Sequence, residues 1–451
     1  MVRVFPNVFS RHVDNEDLIW CPRTDGCLIL QDAHAIIEEL RGEWRSADDI
    51  VHSVSAKFDC NDDAVAKDVV EFLDELIACG FLDIDDKQDV EAVKKRCCEM
   101  HHNSFPDTSF NNDSFASPVG GFFERHRIPA EIHIDLTSAC TERCVHCYHP
   151  AYPDVHLPYA LAEKALREFR ALQGMTVHLT GGECMLHPEF DRVCRLCKEL
   201  DLNIIVFTNL TSCNARRVAF LREIDPQFLN VSLYSMDASV HDSITKLPGS
   251  WRRTMDSILA CEKAGVHIRI ATPLLRQNRK SFPMLQRFAA EHHMHLVPSF
   301  DIVPQSNHDC SNLKHACSSD ELRETLLENR ETFNLHWDGR MPSCGTKVCD
   351  IGVSRIYLNS RGEYYPCDSM HEYVLGTADN MSLKDVWQCD RMEYLRKLKN
   401  KDFDACATCC DRPFCKVCPA FNFNATGNLF TATKEKCMVA SVVHSVYGDG
   451  V

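Results

Sequence analysis

The most informative stretch of this sequence lies at residues 133–150 and reads HIDLTSACTERCVHCYHP. It begins as a short strand, and Cys140, Cys144 and Cys147 follow within eight positions. Four-iron clusters are bound by thiolates and normally take four of them, so a loop with three leaves one iron open. The amine and carboxylate of an amino acid can chelate such an iron. A structural zinc site, which prefers four protein ligands, and three buried thiols are the alternatives.

Cysteine is unusually frequent, at 26 of 451 residues. A secreted disulfide framework would explain such a count in a short chain with a signal peptide, but this chain is long and has no such segment. In a reducing compartment, clustered cysteines favour metal binding and scattered ones behave as small buried hydrophobic side chains. The sequence contains both kinds.

The overall composition excludes several classes of partner. With 45% hydrophobic and 25% charged residues the chain is ordinary globular material, long enough for two or three domains. The formal net charge of −16 argues against a nucleic-acid or anionic-membrane surface. No apolar run approaches the roughly 18 residues needed to cross a bilayer, and the N-terminus lacks the pattern of a secretory signal. We therefore expect a cytoplasmic protein without nucleic-acid or membrane partners.

The first two segments differ sharply in composition. Residues 1–95 contain helix-periodic runs such as CLILQDAHAIIEEL and DAVAKDVVEFLDELIACGFLDI, which predict a compact α+β domain. Ser46 is a suitable N-cap for the helix SADDIVHSVSAKF, which carries acidic residues in its first turn. Residues 96–127 are rich in Asn, Ser, Asp, Pro and Gly and are predicted to be a linker.

Residues 128–310 alternate strands and helices. The six predicted strands are EIHIDL, TVHLTGG, NIIVFTN, FLNVSLYS, HIRIATPLL and HLVPSFDIVP. This rhythm predicts an α/β fold with a parallel sheet, a partial (β/α)6 TIM-like barrel whose chemistry lies at the C-terminal ends of the strands. Residues 311–340 supply a connecting helix. Residues 341–451 form a cysteine-rich domain that we expect metal, rather than a large apolar core, to hold together.

The segment CTERCVHC resembles the cluster loop of radical S-adenosylmethionine (SAM) enzymes. This resemblance implies that the methionine part of SAM chelates the open iron of a [4Fe–4S] cluster. Reductive cleavage of SAM then yields a 5′-deoxyadenosyl radical, which removes a hydrogen atom from the substrate. In such enzymes the cofactors carry the difficult chemistry and the protein orients and shields them.

Further positions match the family residue by residue. LTGGEC ends the second strand, and its glycines are expected to let the backbone approach a ligand closely. Its glutamate is expected to accept hydrogen bonds from the methionine ammonium. The cofactor contacts implied in this way are His146, Gly181, Gly182, Glu183, Asn209 and Ser232. An arginine that many relatives carry near Thr245 and Lys246 is absent here, which puts the ribose contacts in doubt.

The C-terminal cysteines resemble a SPASM domain, which holds two auxiliary [4Fe–4S] clusters. The ligands implied for the nearer cluster are Cys344, Cys349, Cys367 and Cys418. Those implied for the farther cluster are Cys406, Cys409, Cys415 and Cys437. Two residues separate Cys415 from Cys418 where the family usually has three, and some relatives leave the iron at the position of Cys344 open. A pair of zinc ribbons is the alternative, because C-x2-C pairs are common zinc signatures.

The hydrophobic spacing of residues 1–95 resembles PqqD-like peptide-recognition domains, which have a winged-helix-like fold. Such a domain binds the leader of a ribosomally made precursor peptide as an added strand, with affinity from main-chain hydrogen bonds. A helical cap without a binding role and a DNA-binding winged helix are the alternatives, although acidic runs such as NEDLIW and CNDDAVAKD oppose DNA binding.

Together the three regions resemble a maturase of ribosomally synthesised peptides. The implied reaction is hydrogen abstraction followed by an intramolecular crosslink, most plausibly a thioether, with an electron donor such as flavodoxin or ferredoxin. A sulfatase maturase that oxidises a cysteine or serine to formylglycine is one alternative. A non-catalytic metal-bound peptide-binding or electron-transfer protein is another. No spacing singles out a catalytic acid or base.

Metal content separates the enzyme from the scaffold. Three four-iron clusters would give about twelve irons per chain after anaerobic reconstitution, as measured by elemental analysis. Zinc without iron would contradict the radical SAM interpretation and support a zinc-built scaffold.

Overall fold

A computed structural model describes most of the chain. The described residues are 2–4, 8–23, 26–31, 33–41, 44–79, 81–84, 118–330, 332–333 and 341–448. They divide into two compact units, one up to Ile128 and one from Pro129 onward. Most of the predicted linker 96–127 lies outside the described residues, but its last part forms a helix that belongs to the first unit.

The first unit combines short antiparallel sheets with helices. Its elements are β1 (Val2–Val4), β2 (Phe9–Val13), β3 (Glu16–Cys21), β4 (Gly26–Gln31), α1 (His34–Glu39), α2 (Ala47–Phe58), α3 (Asp62–Ala78), β5 (Leu82–Ile84) and α4 (Pro118–His126). Strands β2, β3 and β4 form one sheet in that order, and β1 pairs with β5. The helices and the sheet bury a common core that includes Leu40, Ile50 and Leu76. The predicted α+β domain is therefore present.

Local sequence explains where the helices of this unit begin. Ser46 accepts a hydrogen bond from the backbone NH of Asp49 at 3.1 Å, and the Asp49 carboxylate accepts one from the NH of Ser46 at 3.3 Å. This capping box satisfies two of the amides that a helix start leaves without partners.

Helix α4 contacts β3 and β4, and Arg125 donates to the Glu16 carboxylate at 2.9 Å.

The second unit contains the predicted barrel. Its six strands are β6 (Glu131–Thr137), β7 (Thr176–Gly181), β8 (Asn203–Thr208), β9 (Phe228–Ser232), β10 (Ile268–Pro273) and β11 (His295–Ser299). They pair in sequence order and all in parallel. The covering helices are α5 (Tyr159–Ala171), α6 (Phe190–Glu199), α7 (Ala215–Ile224), α8 (Ala238–Thr245), α9 (Ser250–Lys263), α10 (Phe282–Glu291) and α11 (Ser319–Glu328).

Alternation along β6 separates two kinds of buried residue. Ile132, Ile134 and Leu136 are fully buried in the core that the sheet shares with the helices. The intervening residues are polar, and their side chains point to the opposite face, the barrel interior. Of these, Asp135 is 4% exposed and His133 is 7% exposed. A strand with one apolar and one polar face, both buried, is the mark of a barrel with a functional interior.

The C-terminal region extends the barrel sheet, which the sequence did not predict. Its elements are β12 (Arg355–Leu358), β13 (Glu363–Tyr365), β14 (Gly376–Thr377), α12 (Leu383–Trp387), α13 (Asp390–Arg396), α14 (Asp404–Ala407), α15 (Pro419–Thr426) and α16 (Lys434–Tyr447). Strand β12 pairs in parallel with β6, and β13 and β14 follow, so the sheet has nine strands.

A small apolar core supports this region. Met370, Leu395 and Phe403 are buried in it, and several of the predicted ligand cysteines pack against it. Metal binding is therefore not the only source of cohesion.

Among the described residues, none of the helices combines the length and apolar character that crossing a membrane requires.

The capping box of α2 predicts a local stability effect. Ser46→Ala should lower the stability of the first turn by about 1 kcal/mol, because Asp49 loses its capping acceptor. Hydrogen exchange of the first-turn amides of α2 should accelerate roughly fivefold in that variant. Ser318→Ala, which removes the matching capping box of α11, is the control. Equal exchange of α2 in both variants would contradict the assignment.

Candidate functional site

Backbone hydrogen bonds hold the three-cysteine loop at the C-terminal end of β6. Arg143 donates its NH to the carbonyl of Thr245 at 2.8 Å, and Val145 donates to that of Ile244 at 3.0 Å. Both acceptors lie at the C-terminal end of α8, where carbonyl groups lack partners within the helix. The loop therefore lies where barrel enzymes place their chemistry.

The three thiols of this loop are free and sit in a low-dielectric environment. Burial raises the pKa of Cys140 to about 12 and raises the pKa of Cys144 and Cys147 as well. The negative charge of a Cys147 thiolate raises the pKa of the other two further. Thiolates in this position require a strong local positive charge, and bound iron provides one. The donor set therefore fits an iron–sulfur cluster.

Two side chains from neighbouring strands contact the cluster cysteines. Asn209, directly after β8, donates its amide to Thr141 at 3.0 Å and to the sulfur of Cys140 at 3.8 Å. The Tyr234 hydroxyl lies 3.5 Å from the sulfur of Cys144 and is 5% exposed. Hydrogen bonds to cluster sulfurs tune reduction potential. Sequence reasoning identified Asn209. It missed Tyr234, although this tyrosine lies in the predicted strand segment FLNVSLYS.

Gly181 and Gly182 allow the end of β7 to contact the cluster loop. A Cβ at Gly181, whose φ is +127°, would lie 2.3 Å from the carbonyl oxygen of Thr137. A Cβ at Gly182 would lie 2.2 Å from that of Ala139. The close approach is to the protein's own backbone, and contact of these glycines with a cofactor stays a prediction.

Glu183 joins two strand ends and is 1% exposed. Its carboxylate accepts hydrogen bonds from the Thr208 hydroxyl at 2.8 Å and from the backbone NH of Asn209 at 2.8 Å. Burial raises the pKa of Glu183, while these donors oppose the shift. The carboxylate is thus held rigidly between β7 and β8, and its contact with a methionine ammonium stays a prediction.

His146 and Ser232 both lie close to Tyr234. The His146 ring meets the Tyr234 ring edge-on at 5.0 Å, and burial lowers the pKa of His146 to about 4. A neutral, buried imidazole is suited to packing beside an aromatic ligand. Ser232 hydrogen-bonds with the Tyr234 side chain. His146 thus lies in the cluster loop and the other five predicted cofactor residues lie at neighbouring strand ends, and their contacts with a cofactor stay predictions.

The cysteines predicted for the nearer auxiliary cluster are only partly brought together. Burial raises the pKa of both Cys349 and Cys367, and the charge of a Cys418 thiolate raises it further, so Cys418 interacts with each of them. Cys418 is the N-cap of α15 and accepts the NH of Phe421 at 3.4 Å, a position that stabilises a thiolate. Cys344 is exposed, and no interaction with the other three is among those found for the described residues.

The four cysteines predicted for the farther cluster do form one group. Burial raises the pKa of Cys437 and Cys415; the charges of Cys406 and Cys409 add to the shift of Cys437, and those of Cys406 and Cys437 add to that of Cys415. Cys410, between these residues in sequence, is exposed. The geometry fits the predicted ligand set, whose metal binding is untested.

Lys436 is a further residue that sequence reasoning missed. Its side chain is 11% exposed, and its ammonium lies 2.5 Å from the Asp301 carboxylate. Burial lowers the pKa of Lys436, but the charges of Asp301, Cys418 and Cys415 outweigh burial and raise it. One cation therefore faces both groups of auxiliary-cluster cysteines, where it offsets their negative charge. In the sequence, only the position of Lys436 next to Cys437 indicated a role near the auxiliary cysteines.

Family models match three segments of the chain. Residues 134–289 match the radical SAM superfamily, residues 349–410 match the SPASM iron–sulfur cluster-binding domain, and residues 31–82 match coenzyme PQQ synthesis protein D (PqqD). The three resemblances stated from the motifs are therefore confirmed. The iron–sulfur description of the second model favours clusters over zinc ribbons.

Several known proteins match this chain at low sequence identity. The chain is 23% identical over 330 residues to an AdoMet-dependent heme synthase of Methanosarcina barkeri, covering 66% of this chain and 94% of that protein. It is 27% identical over 163 residues to the subtilosin biosynthesis protein AlbA of Bacillus subtilis, covering 34% of each. Streptococcus suis SuiB, solved with its precursor peptide SuiA, superposes with a TM-score of 0.64 at 14% identity, covering 97% of this chain and all of that one.

The glycine contacts predict a specific loss of iron. Gly182→Ala should displace the cluster loop, because the acceptor at 2.2 Å is backbone and cannot rotate away. We expect roughly four fewer irons per reconstituted chain, the content of one cluster. Gly121→Ala, whose Cβ would meet only an Arg125 side-chain atom at 3.5 Å, is the control. A full iron complement in Gly182→Ala would contradict the role assigned to this contact.

The three-cysteine loop, the parallel barrel and the family models all indicate radical SAM chemistry. The predicted cofactors, SAM and [4Fe–4S] clusters, are those of the radical SAM and SPASM domains. The chain therefore carries a radical SAM domain, a SPASM domain and a PqqD-like domain, and it is an enzyme.

Proposed function

We propose that this enzyme modifies a ribosomally synthesised precursor peptide and closes an intramolecular crosslink in it. The observation that carries the proposal is the presence of PqqD, radical SAM and SPASM domains in one chain. SuiB, which has the same fold over nearly the whole chain, was solved with its precursor peptide bound. AlbA, another relative, takes part in subtilosin biosynthesis. These likenesses support a peptide substrate.

The first unit offers a surface for the leader of such a peptide. Its three-stranded sheet has β2 and β4 as edge strands, and β4 also contacts α4. An extended leader can add to an edge strand through main-chain hydrogen bonds, with specificity from neighbouring side-chain pockets. Because α4 contacts the central strand β3 as well as β4, both β2 and β4 are candidate edges for the leader.

The second unit prepares the reaction site. Cys140, Cys144 and Cys147 would hold the cluster, and bound SAM would supply the radical chemistry for hydrogen abstraction from a substrate carbon. The protein anchors the cluster loop on α8, holds Glu183 and Asn209 beside it and packs the neutral His146 ring against Tyr234. These preorganised groups would fix the position in which the cofactor binds.

The SPASM region completes the electron balance. Closing a thioether from a substrate cysteine onto a carbon radical would break the S–H bond, release its proton and leave one surplus electron. Cys349, Cys367 and Cys418 would hold the acceptor nearest the barrel, since β12 and β13 connect that region directly to β6. A thioether is therefore the crosslink we favour, and a flavodoxin or ferredoxin is the expected source of the first electron.

A tetrapyrrole is the second candidate substrate, because curated relatives include AdoMet-dependent heme synthases. The PqqD match favours the peptide. An anaerobic assay with dithionite, SAM and either a precursor peptide encoded nearby or an iron porphyrin separates the two. A crosslinked peptide mass supports the maturase, whereas modification of the porphyrin alone contradicts it.

Opposite defects are expected from changes in the two units. Cys144→Ala should abolish SAM cleavage, because the cluster loses a ligand, while leader binding measured by fluorescence anisotropy stays within twofold of wild type. Deleting residues 1–128, the whole first unit, should abolish leader binding and leave unproductive SAM cleavage, measured as 5′-deoxyadenosine. The same defect in both variants would contradict this division of labour.

A further inference from the structure

Three donor side chains meet at the C-terminal half of β6, outside the cysteine groups. Asp135 comes from β6, His149 from the loop beyond Cys147, and His371 from the segment after β13. One possible ligand atom of each lies within 4.8 Å of the other two. The cluster loop, the barrel interior and the SPASM region therefore each contribute one donor to a single point.

Asp135 is buried without the usual compensation. It is 4% exposed, and its Oδ1 has no hydrogen-bond partner among the described residues. Burial of a carboxylate in this way is costly unless it is paired, hydrogen-bonded or bound to a metal. Burial and the nearby Asp368 carboxylate raise the pKa of Asp135 to about 7. The second carboxylate adds negative charge, so the local field favours a cation.

The two histidines are arranged as ligands rather than as a stacked pair. His371 donates its Nε2–H to the carbonyl oxygen of Asp368 at 2.5 Å, so its Nδ1 carries the lone pair. A backbone carbonyl commonly fixes a metal-binding histidine in this manner. The Nε2 of His149 is buried and has no partner among the described residues. The two rings cross at 83° with centroids 5.1 Å apart, so their lone pairs can converge.

Packing fixes the orientation of His371. Its ring stacks on Tyr365 at 5.2 Å with 22° between the planes. Tyr365 is itself buried, and its hydroxyl donates to Glu363 at 2.7 Å. A donor held by both a hydrogen bond and an aromatic contact is preorganised for a ligand.

A second group of donors in the barrel lacks these properties. Glu131, His133 and His178 also approach within 4.8 Å of one another. The two imidazole rings, however, stack at 3.9 Å with 8° between their planes, so their lone pairs run parallel and do not converge. Arg355 lies 2.8 Å from the Glu131 carboxylate and would repel a metal ion. This group provides a matched control.

We propose that Asp135, His149 and His371 bind a divalent transition-metal ion beside the SAM cluster loop. Two histidines and one carboxylate suit Fe(II) or Mn(II) and leave further coordination positions open. In the proposed maturase, on which this part rests, those positions face the barrel interior and take an oxygen, nitrogen or sulfur donor of the peptide. The ion would orient the substrate next to the cluster, a role separate from the auxiliary clusters.

Mn(II) alone is the probe, because thiolates select softer metals and the cysteines will compete little for it. Anaerobic holoenzyme with its full iron content is titrated, without SAM or peptide, and free Mn(II) is followed by room-temperature electron paramagnetic resonance. Wild type and His178→Gln should bind one Mn(II) per chain. Asp135→Asn and His371→Gln, on different elements, should each weaken binding at least tenfold while iron content stays unchanged.

Absence of saturable Mn(II) binding by wild type overturns the site, whatever the variants do. Wild-type affinity in Asp135→Asn or His371→Gln also overturns it, as does loss of binding in His178→Gln. Mn(II) binding by an enzyme that modifies no peptide keeps the metal site and removes the peptide role. The failure of this inference is therefore distinguishable from failure of the proposed function.

Discussion

The rest of the site depends on a contact between two backbone segments. These are the end of β7 and the start of the cluster loop. Gly182 donates its NH to the carbonyl of Thr137, and Glu183 donates to that of Ala139, both at 2.8 Å. No side chain fits between these segments, because a Cβ on either glycine would overlap a carbonyl oxygen. The three half-buried cysteines of the loop follow directly after this contact in the chain. Burial disfavours thiolates, so the loop is suited to cations such as iron.

Charge compensation is the second constraint, and it operates throughout the second unit. The barrel interior contains buried Asp135, His133 and His178, which an apolar core would not tolerate without partners. At the auxiliary cysteines, the Lys436 ammonium favours the thiolate forms of Cys415 and Cys418, and its ion pair with Asp301 offsets part of that charge. A protein that assembles radical chemistry in a dry chamber has to place each charge next to its counter-charge before substrate arrives.

The barrel and the SPASM region form a continuous sheet. Because β12 pairs with β6, the strand that leads into the SAM cluster loop has a SPASM strand as its neighbour. The loop after β13 then carries Cys367 and His371 toward the same end of the barrel. One strand pairing thus brings the first cysteine loop and the nearer auxiliary cysteines onto one framework, which suits a reaction with two electron-transfer steps.

The sequence by itself determined the local features. Strand and helix periodicity predicted all six barrel strands, and cysteine spacing predicted the cluster loop and the two auxiliary groups, because these patterns depend on neighbours within a few turns or one loop. Only the tertiary structure decided which distant segments meet. The pairing of β12 with β6, the exposure of Cys344, and the convergence of Asp135 with His149 and His371 depend on that folding. Such contacts join residues that are far apart in the chain. They cannot be predicted from a local pattern, because such a pattern does not specify which buried surfaces face each other.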